Sequence, residues 1–287
     1  MELAIQLLGQ TFRVAVGGAD AEAILQMNYA QVQHAPLSSS PVRYRVEHRA
    51  GQFLLHSDEG TSTSTDAGEF LYLFEHRLVL DLQKARPDLL FVHAAVLFAG
   101  ARSVLLVAPS GTGKSTLALA LVERGCAYLS DELAPVEPGD GLVHPYPHAL
   151  CLKGVPAGRA DYPPQGFVTG ATWHLPAEHL RCRLSPAPLG TLMFLERSDS
   201  HRATLTEISA AEATARLLPQ VLNSLAHGSF GIDAALAVAK CCRALVVRMG
   251  GVDETADLVA EFLGAVVQEQ SGEQDGDLLP GTSGGRG

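Results

Sequence analysis

One segment constrains this chain more than any other, because it has the order of a strand, a glycine-rich loop and a helix. The apolar residues 104–107 predict a buried strand, and the apolar run at 117–122 predicts a helix. Between them, residues 108–116 read Ala-Pro-Ser-Gly-Thr-Gly-Lys-Ser-Thr. A loop of this composition at the start of a helix turns backbone N–H groups and the helix dipole toward one anionic group. The sequence therefore predicts a nucleotide phosphate site, for ATP or GTP.

Each position of this loop has an expected role in the pattern G-x-x-x-x-G-K-[ST]. Ala108 replaces the first glycine, while Gly111 and Gly113 stand where the backbone must bend around phosphate. Lys114 is predicted to reach the β- and γ-phosphates, and the Ser115 hydroxyl to bind Mg²⁺. The competing interpretation is an ordinary strand, turn and helix that match the pattern by chance. The predicted nucleotide-binding residues are Ser110, Gly111, Thr112, Gly113, Lys114, Ser115 and Thr116.

Composition narrows the class of protein. The 287 residues are 47% hydrophobic, which is ample for a sizeable core. The formal net charge of −10, from 21 Lys and Arg against 31 Asp and Glu, argues against a general nucleic-acid binder. No apolar stretch reaches the roughly 18 residues that span a bilayer, and the N-terminus lacks the basic region of a signal peptide. We therefore expect a cytoplasmic protein with neither a nucleic acid nor a membrane as partner.

Three regions are predicted along the chain. Residues 1–88 carry short alternating runs of polar and apolar residues, typical of a small N-terminal α+β subdomain built on hairpins. Residues 89–268 hold the phosphate loop and are expected to form the α/β catalytic domain. Residues 269–287 have almost no apolar content and are expected to be disordered.

The periodicity of apolar residues predicts several individual elements. A helix is expected over 67–84, where apolar residues recur at helical spacing after good N-cap residues. Two strands joined by a tight turn are expected at 89–98 and 103–107, so a hairpin leads into the phosphate loop. A further helix is expected over 210–222.

Two adjacent acids follow the next predicted strand after the loop. Two strands that are joined by one helix of this size run parallel to each other. Asp131 is therefore expected at the same sheet edge as the phosphate loop. A carboxylate there can bind Mg²⁺ or accept the proton of an attacking hydroxyl; a helix cap or a surface acid is the alternative. Glu132 is the second candidate for these roles, since in strand geometry its side chain points away from that of Asp131. His93 can orient Asp131 or contact the γ-phosphate, although a single histidine in an apolar strand is more often structural.

Taken together, these residues resemble the catalytic domain of HPr kinase/phosphorylase and its relatives, which include kinases that modify ribosomally made peptides such as lasso-peptide precursors. The order is His93-Ala-Ala-Val, a hairpin, Ser-Gly-x-Gly-Lys-Ser, and Leu-Ser-Asp131-Glu132. The resemblance is specific over residues 89–153 and looser up to 265. It implies an α/β fold with a phosphoenolpyruvate carboxykinase-like P-loop kinase core that uses ATP and Mg²⁺. It also implies that Asp131 is the catalytic base and that His93 supports it.

The resemblance bears on further residues. The metal site it implies consists of Ser115, Asp131 and Glu132, although the family often has two aspartates where this chain has Asp131-Glu132, which leaves the second metal role open. The family's glycine-rich signature for the reverse, phosphorolytic reaction is not recognisable, so a kinase is expected. Lys153 and Arg197 are candidate cations for the transferring phosphoryl group, and each fits an ordinary surface residue equally well.

The leading interpretation is an ATP-dependent kinase that transfers the γ-phosphoryl group to Ser or Thr of a peptide or small protein. A small-molecule kinase of the same fold, or a nucleotide-responsive regulatory module without catalysis, stays open. The sequence identifies neither the acceptor nor the oligomeric state, and it assigns no role to the N-terminal subdomain.

Overall fold

The computed structural model describes residues 1–32, 42–155, 165–198, 200, 202–264 and 278–279. Its α-helices are α1 (Ala19–Asn28), α2 (Ala67–Ala85), α3 (Lys114–Val122), α4 (Ala210–Leu217), α5 (Ile232–Lys240) and α6 (Val252–Leu263). Its strands are β1 (Glu2–Leu7), β2 (Gln10–Gly17), β3 (Val42–Arg49), β4 (Gln52–Ser57), β5 (Gly60–Ser64), β6 (Leu90–Val92), β7 (Ala94–Ala99), β8 (Arg102–Val107), β9 (Ala127–Ser130), β10 (Ala134–Val136), β11 (Leu142–Val143), β12 (Leu150–Leu152), β13 (Phe167–Thr169), β14 (Thr172–Leu175), β15 (Cys182–Arg183), β16 (Ala187–Arg197), β17 (Thr204–Glu207), β18 (Arg243–Met249) and β19 (Leu278–Leu279). The mixed α/β class is therefore as predicted.

The chain divides into two compact units. The first comprises Met1–Arg86 and Pro147–His179, and the second comprises Pro87–Tyr146 and Leu180–Gly287. Residues 147–179, which the sequence interpretation assigned to the catalytic domain, thus fall within the first unit. The predicted disordered tail, 269–287, lies outside the described residues apart from the short strand β19, which pairs with β15.

The first unit combines two sheets with α1 and α2. One sheet has the order β1-β2-β3-β4-β5, and the other has the order β12-β14-β13. The predicted helix at 67–84 is confirmed as α2, which begins where the Asp66 carboxylate accepts the Glu69 N–H at 2.8 Å. Within the described ranges, no helix combines the length and apolar character needed to cross a membrane.

The second unit is built on a sheet whose central strands run in the order β9-β7-β8-β16-β18. β16 lies parallel to both β8 and β18, whereas β7 lies between β8 and β9 and runs antiparallel to both. β8 and β9 therefore point in the same direction, as predicted, although they are not neighbours. The carboxyl ends of β8 and β9 and the amino end of β7 consequently meet at one edge of the sheet.

Two sequence predictions in this unit are wrong in their boundaries. The predicted strand at 89–98 is broken at His93: β6 pairs with β10, whereas β7 pairs with β8 and β9. The predicted helix at 210–222 ends at Leu217, because Pro219 has no N–H to continue the helical hydrogen bonds. The chain then passes through a short 3₁₀ turn and places Val221 opposite Val92.

Candidate functional site

The phosphate loop joins the carboxyl end of β8 to the first residue of α3. Gly111 and Gly113 have φ angles of 81° and 115°, which residues with a side chain rarely adopt. Thr112 closes the turn, because its N–H and its hydroxyl both donate to the Pro109 carbonyl, at 3.3 and 2.9 Å. A Cβ atom added to Gly111 would meet nothing within 4 Å. Conformation, and not crowding, therefore requires glycine at this position.

Lys114 is buried, and its side chain folds back over the beginning of the loop. Its Nζ donates to the Ala108 carbonyl at 3.3 Å and lies 3.2 Å from His93 Nε2. Ser115 and Thr116 follow in the first turn of α3 and are half-buried, whereas Ser110 is exposed. The ammonium group that is predicted to hold phosphate thus lies against a histidine at the same sheet edge.

His93 occupies the break between β6 and β7 and connects the loop to Glu132. Its backbone N–H donates to the Gln220 carbonyl at 2.8 Å, and its Nε2 lies 2.8 Å from Glu132 Oε2. Glu132 comes two residues after β9. The acid that contacts His93 at this distance is therefore Glu132, the one that the sequence interpretation ranked second.

A single ring nitrogen of His93 faces both an acid and a cation. Nε2 carries either a proton, which it can donate to Glu132, or a lone pair, which can accept from Lys114. Both contacts cannot be hydrogen bonds in the same state. The protonation of Nε2, the position of the Lys114 ammonium and the orientation of the Glu132 carboxylate are consequently linked.

The two adjacent acids differ sharply in their access to solvent. Asp131 is 0% exposed, whereas the Glu132 side chain is 41% exposed. A general base must come within hydrogen-bond distance of the proton that it removes from an incoming hydroxyl. Exposure favours Glu132 for that role, and the assignment of Asp131 as base stays a prediction of the sequence.

The two predicted phosphate-contacting cations lie in different units. Arg197, at the end of β16, donates to the Gly111 carbonyl and, at 3.5 Å, to the Thr112 carbonyl. Lys153 follows β12 in the first unit. Arg197 thus contacts the phosphate loop itself, while a contact of either cation with phosphate stays a prediction.

The donor atoms near the loop suit Mg²⁺ that arrives with a nucleotide. In the part of the chain that the structure describes, no group of three or more His, Cys, Asp and Glu side chains is arranged to hold a metal ion. Mg²⁺ at nucleotide sites takes only one or two carboxylates and completes its shell with phosphate oxygens and water. The hydroxyl of Ser115 and the carboxylates of Asp131 and Glu132 are hard oxygen donors of the required kind.

Sequence reasoning assigned no role to the segment that borders the site at residues 220–223. Besides the Gln220 carbonyl that accepts from His93, the Leu222 N–H donates to the Phe91 carbonyl at 2.8 Å. The buried Asn223 side chain bonds the backbone of the same strand region. These contacts join residues about 130 positions apart, and no local pattern in the sequence signals them.

Comparison with known proteins gives a sparse result. No protein-family model matches the chain, and no curated protein sequence matches it. Among solved structures, the Hpr(Ser) kinase/phosphatase from Coxiella burnetii matches with a TM-score of 0.32 and 13% identity, over 61% of this chain and 93% of that chain. At that identity and TM-score the likeness assigns neither residues nor an activity to this chain.

Proposed function

We propose that this chain is an ATP-dependent phosphotransferase that moves the γ-phosphoryl group to a serine or threonine hydroxyl of a peptide or small protein. The observation that carries the proposal is the meeting, at one sheet edge, of a glycine-rich loop ending in Lys114 with the His93–Glu132 pair. A loop alone would support nucleotide binding only. An exposed acid held by a histidine beside the loop lysine adds the means to remove a proton.

The loop and α3 would bind the triphosphate. The backbone N–H groups around Gly113 and the amino end of α3 would offer donors and a positive dipole to the phosphate oxygens. Arg197 donates to the Gly111 and Thr112 carbonyls, which helps to fix the conformation of the loop. Lys114 would exchange its contacts with Ala108 and His93 for phosphate oxygens. Bound Mg²⁺ would neutralise charge on the β- and γ-phosphates, with Ser115 and Asp131 as its protein ligands.

Once Lys114 has moved to the phosphates, His93 Nε2 would contact Glu132 without the lysine beside it. With no cation beside it, Nε2 can carry its proton and donate it to the Glu132 carboxylate, which fixes that carboxylate in place. Glu132 then accepts the proton of the acceptor hydroxyl. At the same time the hydroxyl oxygen bonds to the γ-phosphorus, and the bond between that phosphorus and the bridging oxygen of ADP breaks. We therefore assign the base to Glu132 and the metal ligand to Asp131.

The test is transfer of label from γ-labelled ATP, with Mg²⁺, to a panel of serine and threonine peptides, small hydroxyl metabolites and proteins of a cell extract. We expect labelled peptide or protein, none with Lys114→Ala, and retained nucleotide binding without transfer in Glu132→Gln. A matched control is Glu137→Gln, because Glu137 contacts His144 Nε2 at 2.7 Å in a similar acid–histidine pair of the same unit. That control is expected to transfer normally.

Each contrary result has a distinct meaning. Label found only in small molecules would mean that the chain phosphorylates metabolites and not peptides. ATP binding without any transfer would leave a nucleotide-responsive module. Transfer retained in Glu132→Gln but lost in Asp131→Asn, with Mg²⁺ saturating, would return the base to Asp131.

A further inference from the structure

The second unit exposes a concentrated set of large apolar side chains. Among the described residues, nine large hydrophobic side chains are exposed, and four of them fall within residues 222–232, which we call the apolar loop. Their exposed fractions are 49% for Leu222, 84% for Leu225, 72% for Phe230 and 47% for Ile232. Apolar groups grouped in this way on a protein surface mark binding sites more often than scattered ones do.

The apolar loop is fastened to the protein at its beginning and closed on itself. Asn223 accepts the Phe91 N–H at 2.9 Å and donates to the Leu89 carbonyl at 2.8 Å. Gly231 packs so closely on Ser224 that an added Cβ atom would lie 3.3 Å from the Ser224 Cα. The exposure of the apolar side chains is therefore a property of an ordered loop with defined backbone contacts.

The backbone of the apolar loop also holds Phe230 outward in an unfavourable conformation. Ser229 and Phe230 have φ angles of 55° and 53°, in the left-handed region that a bulky residue seldom occupies. Folding alone would favour asparagine or glycine there, since both accept this conformation easily. An exposed phenylalanine at such a position gains nothing for the fold, which points to a role in binding.

The apolar loop begins beside the candidate site. Val221 lies opposite Val92, and the Leu222 N–H donates to the Phe91 carbonyl, two residues before His93. Two residues of extended chain advance about 7 Å. A peptide whose hydroxyl lies at Glu132, which contacts His93, can thus reach Leu222 within about three residues.

The size of this surface suits a short peptide. At about 150–200 Å² for a whole large apolar side chain, the exposed fractions amount to about 450 Å². A stable dimer interface takes about 800 Å² from each partner. The patch is too small for such an interface and large enough for two or three apolar side chains.

On these grounds we propose that the apolar loop binds apolar side chains of the acceptor peptide, a few residues away from the phosphorylated hydroxyl. This inference rests on the proposed kinase function and adds the chemical class of the acceptor. It makes Leu225 and Phe230 determinants of acceptor specificity that take no part in the chemical step.

The test uses the full chain, γ-labelled ATP and 13-residue peptides with a central serine in a Gly/Ala background. Each position within six residues of the serine is occupied in turn by Leu or by Gln. We expect the wild type to prefer Leu by about tenfold at one or two positions on one side of the serine, as burial of one such side chain allows. Leu225→Ser and Phe230→Asn should reduce the preference below about twofold, on the same scale, by raising the KM for the Leu peptide at unchanged kcat.

Leu184→Ser is the matched control, because Leu184 is exposed in the same unit but outside the apolar loop. It should keep the preference. Transfer without a preference for Leu, or a preference retained in both loop variants, would overturn the inference and leave the kinase intact. Transfer to none of these peptides, with ATP binding intact, would overturn the peptide-kinase proposal together with it. Light scattering tests whether a second copy of the chain, instead of a peptide, binds the apolar loop. Dissociation of an oligomer by Leu225→Ser would also overturn the inference.

Discussion

Replacing Asn223 by alanine tests how the segment beside the candidate site is held. The Asn223 side chain accepts the Phe91 N–H and donates to the Leu89 carbonyl, and all three residues are buried. His227 Nε2 lies 3.1 Å from the same Leu89 carbonyl. The Phe91 N–H therefore depends on Asn223, whereas the Leu89 carbonyl has two donors available.

This difference sets the expected loss of stability. Asn223→Ala removes the acceptor of a buried N–H, which lowers the free energy of unfolding by about 1–3 kcal/mol. The Leu89 carbonyl adds little to that loss, since His227 can still donate to it. For the same reason His227→Ala alone is expected to cost less than about 1 kcal/mol, because Asn223 remains as donor.

The double variant should lose more free energy of unfolding than the two single variants lose together. With both donors gone, the Leu89 carbonyl is left without these hydrogen bonds in a buried position, which adds a further loss of about 1–2 kcal/mol as a coupling term. Urea unfolding of the four proteins, followed by far-ultraviolet circular dichroism, measures the cycle. The fluorescence of Trp173, the single tryptophan of the chain, reports separately on the first unit, where it lies in β14.

Two results would refute this reasoning. If the losses of the single variants simply add up in the double variant, then the two donors do not share the Leu89 carbonyl. If Asn223→Ala costs less than about 0.5 kcal/mol, then the Phe91 N–H finds another acceptor or water, and the anchor of the apolar loop is not Asn223.

Three further predictions concern other parts of the chain. Phe230→Asn should raise the free energy of unfolding by about 0.5–1 kcal/mol in urea, because asparagine accepts the left-handed φ of that residue. Gly113→Ala should weaken nucleotide binding about five- to thirtyfold in a labelled-ATP binding assay, since a φ of 115° is strained for alanine by about 1–2 kcal/mol. Burial, with His148 as a second cause, lowers the pKa of His174 to about 4 from an unfolded value of 6.5. The unfolded chain therefore gains a proton first as the pH falls. Stability measured by Trp173 fluorescence should drop by about 3 kcal/mol from pH 6.5 to 4, and His174→Gln should remove most of that slope.

Local sequence signals predicted the elements that local interactions determine. The phosphate-loop strand and helix follow from short apolar runs and from glycines that the backbone requires at φ angles of 81° and 115°. Helix α2 follows from an N-cap and a repeating apolar face, and it begins at the predicted residue. Each of these signals acts within a few residues, so each can be interpreted without knowledge of the rest of the fold.

Features that depend on distant pairing could not be predicted in this way. The apolar run at 89–98 looks like one strand, yet its two halves pair with different partners, and His93 lies at the break. The helix predicted over 210–222 stops early, and its last residues pair instead with the strand that precedes His93. In both cases the deciding contacts come from residues far away along the chain, which override the local periodicity.

The assignment of the two acids depends on one such contact. Alternation along a strand predicts that Asp131 and Glu132 point to different sides, but both residues follow the end of β9 at Ser130, where alternation no longer applies. Leu97 lies opposite Tyr128, whereas Val96 lies opposite Ser130, so Leu129 is an extra residue in β9. A bulge of this kind reverses the side on which every following residue would fall in a regular ladder. Asp131, which is buried, and Glu132, which contacts His93, follow this bulge directly, and no residue type at 129 predicts it. The choice between the two acids as base therefore depends on the path of the chain after β9, which the fold specifies and the local sequence pattern does not.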